Sequence, residues 1–141
     1  MPASADAGAP AQEPPPGQST AVLAESLYLV NLLVLPVIGF LALAWLFLRS
    51  GSQTPALARS HISQSFSASL WGGILLVFVI LLILALGGYQ AVNTWTLVIL
   101  YFTTVHTTFV LIGIIGLAKA MAGRCWRIPL IGPRLPRDCR T

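Results

Sequence analysis

His106 stands in the middle of a long apolar run, flanked by Thr103, Thr104, Thr107 and Thr108. An imidazole at mid-membrane depth is costly to place, which makes it a functional-site candidate by default. The chemistry open to it is proton relay, axial ligation of haem iron or of a chlorophyll-type magnesium, or a hydrogen bond to a quinone. The plainer reading is a neutral imidazole bonded to a backbone carbonyl or a threonine hydroxyl on a neighbouring helix. His61 belongs to a different depth, so a haem held by two histidines would need His106 from two copies. No other cofactor and no metal site is expected.

The other reactive side chains suggest structure rather than catalysis. His61 and Gln64 share a helix face with Ala68 and Gly72 and are expected to turn inward as a satisfied polar pair. Glu25 is expected at the outer interface, solvated and without a basic partner. Cys125 and Cys139 match no zinc or redox spacing and read as free thiols on a reducing side. Nothing resembles a phosphate-binding loop, a paired-carboxylate site or a nucleophile elbow. An enzyme is not expected.

These residues must be positioned by elements suited to lipid. Of 141 residues 56% are hydrophobic and 9% charged, against about 25% charged in an ordinary soluble domain. Three apolar stretches reach the ~20 residues that cross a hydrocarbon core. The reading is an all-α integral membrane protein with three transmembrane helices, at about 26–48, 70–88 and 95–121. An amphipathic surface helix, about 55–69, starts at Thr54-Pro55 and runs into the second span. Pro36 and Gly39 read as a kink inside the first span. Residues 1–24, rich in Pro and Ala and lacking Lys and Arg, are expected to be a disordered leader rather than a cleavable signal. Residues 25–123 form the membrane domain, and 124–141 a basic tail.

Under three spans all eight basic residues fall on one side: Arg49, Arg59, Lys119, Arg124, Arg127, Arg134, Arg137 and Arg140. The positive-inside rule then places the N-terminus outside and the C-terminus in the cytoplasm of a bacterial inner membrane. Arg124, Arg127, Arg134 and Arg137 are candidates for anionic headgroups or an acidic partner. The expected partners are membrane lipids and larger membrane-protein subunits, not nucleic acid.

Helices in lipid associate through small residues that let backbones approach. Two seams qualify, Ser65, Ser69, Gly72 and Gly73 on the second span and Gly113, Gly116, Ala120 and Gly123 on the third. They are expected to face each other near the cytoplasmic side.

Two segments carry a family resemblance. RSHISQSFSASL, before the second span, and LAKAMAGRCWRIPLIGPRL, after the third, resemble elements of a family of small bacterial membrane proteins of unknown function. That family is distantly related to the chloroplast inner-envelope import channel. Lys119, Ala120, Gly123, Arg127, Pro129, Leu130 and Arg134 match its closing element, with Ile128 where the family has tyrosine. Pro36 ahead of Trp45-Leu46 also fits, so the resemblance covers about 21–135. It implies a fold and no catalytic residue, and modestly favours translocation. The leading expectation is a non-catalytic accessory or scaffolding subunit of a larger membrane complex. An oligomeric transport component and a pigment- or haem-binding subunit are the alternatives.

Overall fold

In the computed structural model, residues 13–139 are described. Among them the chain is helical: α1 (Gln18–Leu33), α2 (Pro36–Arg49), α3 (Ala56–Ala85) and α4 (Thr94–Met121). A short 3-10 turn, Gly88–Gln90, joins α3 to α4. The longest helix, α3, has 30 residues and measures about 45 Å at ~1.5 Å per residue, enough for a ~30 Å hydrocarbon core. Among the described residues, α3 and α4 are the two helices long and apolar enough to cross a membrane.

The expected continuous span over 26–48 does not form. The helix breaks at Val34–Leu35, and α2 folds back along α1 as a helical hairpin. Pro36 has no N–H to donate and disfavours helical geometry at Leu35, which sits at φ −134°, ψ 77°. Gly39 then allows the reversal to close: a Cβ there would stand 2.7 Å from the Asn31 backbone. With 16 and 14 residues, α1 and α2 reach about 24 and 21 Å, short of a full crossing.

α1 is the central element. It runs parallel to the first half of α3, with Gly17 beside Pro55 and Ala58, Glu25 beside His61, and Asn31 beside Ser69. It runs antiparallel to α4, with Gln18 bonded to the Met121 carbonyl and Glu25 and Tyr28 against Gly116 and Gly113. The main core gathers Ala24, Tyr28, Leu43, Ala58, Ile62, Ala68, Phe109 and Ile128. α2 closes its side through Phe47 and Phe40 stacked on Phe66.

Two expectations about the ends are corrected by this arrangement. From Gln18 onward the supposed disordered leader is helical, while residues 1–12 lie outside the described residues. Because the hairpin returns the chain to its starting level, the 13–17 segment and the tail meet at one end of the bundle, with Pro15 beside Gly123. They do not lie at opposite ends, as one continuous first span requires. Arg49, Arg59, Lys119 and the described arginines of the tail belong to this basic end. Beyond the hairpin tip, α3 continues with Phe78, Leu81 and Leu84 exposed, and α4 with Trp95, Ile99, Leu100 and Phe102 exposed.

Candidate functional site

The most elaborate polar chemistry lies inside the basic end. Glu25 on α1 and His61 on α3 are 3% and 0% exposed, with His61 Nδ1 2.7 Å from Glu25 Oε1. His61 Nε2 lies 3.0 Å from the Arg124 carbonyl, which can only accept, so Nε2 carries a proton and donates. One further proton sits between Nδ1 and the carboxyl group, as imidazolium with carboxylate or as imidazole with carboxylic acid. Both descriptions leave the buried pair neutral overall, the condition under which burial of ionisable groups is tolerated. Solvated Glu25 is therefore corrected. A continuous first span would hold it away from every basic or imidazole group, and the hairpin brings it to His61.

One turn further along α3, Gln64 organises the tail. Its Nε2 donates to the Pro133 carbonyl at 2.9 Å and its Oε1 accepts from Ile128 N at 3.1 Å. Ser67 Oγ donates to the Ile131 carbonyl at 2.9 Å. His61, Gln64 and Ser67 lie on adjacent turns of one face, so the first half of α3 serves as a rail for the non-helical tail. The tail starts where Gly123, at φ +65°, closes α4 with its N–H on Ala120 and the Arg124 N–H on Lys119.

Cys125 and Cys139 form a disulfide, with 5.8 Å between their Cα atoms. Free thiols are thus corrected. The spacing carried no signature because the pairing depends on the tail doubling back over α3. The described tail therefore has covalent closure in addition to its hydrogen bonds.

The small-residue seams are occupied differently from the expectation. Gly113 and Gly116 face α1: added Cβ atoms would lie 2.6 Å from Leu29 Cδ2 and 2.6 Å from Glu25 Oε2. Ser69 accepts from Asn31 Nδ2 at 3.3 Å, and Ser65 is buried with an unpartnered hydroxyl. Ala120 packs with Ala21, Leu57 and Cys125, and Gly123 meets Pro15. A Cβ on Gly72 would reach only Phe109 of α4, at 3.9 Å, and one on Gly73 would meet nothing. The two seams do not face each other because α1 is wedged between α3 and α4.

His106 lies far from this knot. It ends a π-helical turn, Tyr101–His106, within α4. Thr104 Oγ1 donates to the Leu100 carbonyl, Thr107 Oγ1 to Phe102 at 2.9 Å, and Thr108 Oγ1 to Thr104 at 2.6 Å. The threonines thus serve their own helix rather than His106. The His106 ring leans on Phe102 at 5.2 Å and lines a groove of about 710 Å³ with Asn31, Phe40, Ser69, Tyr101 and Phe109. The groove sits where the hairpin tip stops and α3 and α4 continue. π turns are frequent at functional sites, and no pattern in the sequence marked this one. Among the described residues, no three His, Cys, Asp or Glu side chains cluster as metal ligands.

Arg124, Arg127, Arg134 and Arg137 all lie on the tail, and Arg127 Nε donates to the Gly132 carbonyl at 3.2 Å. No curated protein and no solved structure matches the chain. A family model described as the magnetosome magnetite crystal formation protein family matches residues 17–135, from the turn before α1 to the tail. This match lends no support to kinship with the chloroplast import channel. It covers the hairpin, both long helices and most of the tail, and the chain belongs to that small membrane-protein family, MamF/MmsF.

Proposed function

We propose that this protein is a non-catalytic accessory or scaffolding subunit of a membrane complex serving magnetite crystal formation. The observation that carries the proposal is the division of the bundle. The basic end is closed by a buried polar pair, a strapped tail and a disulfide. The other half leaves the outer faces of α3 and α4 bare, apolar and long. Rigid closure at one end and an unclad helix pair at the other suit lateral packing in lipid, where association depends on shape rather than on hydrophobicity.

Direct contact with the mineral or its ions is less well supported by the side chains. The whole chain has four acidic residues against eight basic ones, and Glu25 is buried on His61. Hard cations prefer carboxylate oxygens, which this surface hardly offers. The family's role in crystal formation is therefore assigned to organisation of the membrane and of other subunits.

The test is extraction from the native membrane in mild uncharged detergent. Co-migration with larger membrane subunits, lost in Leu81→Arg or Leu84→Arg on the bare face of α3, is expected. Recovery as a free monomer would remove the scaffolding reading. The groove beside His106 favours one second reading, a pigment- or haem-binding subunit. That reading requires chromophore absorbance that disappears in His106→Ala. An oligomeric transport component would instead show solute or proton flux in liposomes holding this chain alone.

A further inference from the structure

We infer that the cavity between α2, α3 and the tail binds the phosphate headgroup of an anionic phospholipid. The cavity, about 560 Å³, is bounded by Phe47, Leu48 and Ser50 at the end of α2, by Arg59 and Ser63 on α3, and by the tail from Pro133 to Pro136. Arg59 and Arg134 approach it from two separate elements. No carboxylate lines it, and among the described residues Glu25–His61 is the one ion pair. Neither guanidinium is neutralised within the described protein, and a guanidinium fork suits the oxygens of a phosphate.

Three further features select a lipid over a free ion. Leu48 is 82% exposed and Trp45, one turn earlier on α2, is also exposed, so an apolar ledge leads outward from the charged floor. The Arg49 guanidinium lies 4.7 Å above the Trp45 ring, a pairing suited to the membrane interface, where headgroups lie. The hydroxyls in the wall are already committed, Ser50 to the Phe47 carbonyl at 2.7 Å and Ser63 to Ser60 at 2.9 Å. The side-chain donors left for a ligand are the two arginines. The backbone that carries Arg134 is anchored, because the Pro133 carbonyl is held by Gln64 and Cys139 is held by its disulfide.

The purified protein in uncharged detergent is titrated with phosphatidylglycerol, phosphatidylcholine or inorganic phosphate, and bound lipid is counted by native mass spectrometry. One saturable phosphatidylglycerol is expected, with no such site for phosphatidylcholine. The Arg59→Gln/Arg134→Gln pair should weaken it about 10- to 30-fold. Arg124→Gln/Arg137→Gln removes equal charge outside the cavity and should weaken it by less than about threefold. Equal weakening by the two pairs would overturn the site in favour of diffuse charge. Equal binding of both lipids, or displacement of phosphatidylglycerol by inorganic phosphate, would overturn the lipid assignment. If the Arg59 variant does not fold, Arg134→Gln alone, on an exposed tail residue, must still weaken binding severalfold; an unchanged affinity overturns the proposal.

Discussion

Removing the Glu25 carboxylate should be among the most damaging single changes this protein can suffer. Glu25→Ala leaves His61, fully buried, with one ring nitrogen on the Arg124 carbonyl and the other facing the emptied space beside Gly116. Breaking a buried pair by deleting one partner costs about 3–5 kcal/mol, because the survivor keeps its desolvation penalty and loses its compensation. His61→Ala strands the carboxylate in the same way and frees the Arg124 carbonyl as well. In Glu25→Leu/His61→Leu no charge remains to be stranded, and such replacements are often neutral or stabilising by about 1–4 kcal/mol. Strong non-additivity is therefore expected: each single change is severe, and the double apolar change is milder than either. Equilibrium unfolding of the purified protein in mixed micelles, followed by circular dichroism, measures all the variants on one scale. If Glu25→Ala costs less than about 1 kcal/mol, or the two losses simply add, the pair does not hold α1 to α3 as described.

The glycines supply a sharper contrast. Gly116→Ala and Gly113→Ala force a Cβ to within 2.6 Å of Glu25 and Leu29, respectively. Each should cost about 1–3 kcal/mol by overpacking, whereas Gly73→Ala, which meets nothing, should stay within about 0.5 kcal/mol; thermal midpoints in one detergent compare them. Gly39→Ala should be at least as harmful as Gly116→Ala, because what it meets is the Asn31 backbone and not a movable side chain. Reducing Cys125–Cys139, which closes a segment with a separation of 14, should lower stability by roughly 3 kcal/mol. Limited proteolysis with and without reductant reads that loss as faster cleavage of the tail.

α3 and α4 were legible from sequence because a long apolar run near 20 residues has few other uses. The polar inward face of α3 was legible too, since His61, Gln64 and Ala68 repeat at helical spacing. The hairpin was not. Hydropathy adds α1 and α2 into one run, and Pro36 in a membrane helix signals a bend as readily as a reversal. What decides is the contact of Gly39 with Asn31, a long-range fact. Counting α1 and α2 as one span leads to termini at opposite ends, a solvated Glu25 and a direct meeting of the two glycine seams. The small residues were recognised, but their partner is α1. The disulfide and the π turn were hidden for a different reason, since each depends on how a segment is laid down after the helices have packed.

The shared end also carries opposed signs of sidedness. Its arginines favour the cytoplasm, while a disulfide persists in oxidising compartments. Sided labelling of sealed membrane vesicles addresses both this and the central claim that two helices cross while α1 and α2 turn back. Epitope tags placed before Glu13 and after Thr141 are probed with an impermeant protease, with and without detergent. The account predicts that the two tags are cut together or protected together, and the orientation of the vesicles then names the compartment. One tag cut and the other protected would mean an odd number of crossings and would contradict the hairpin.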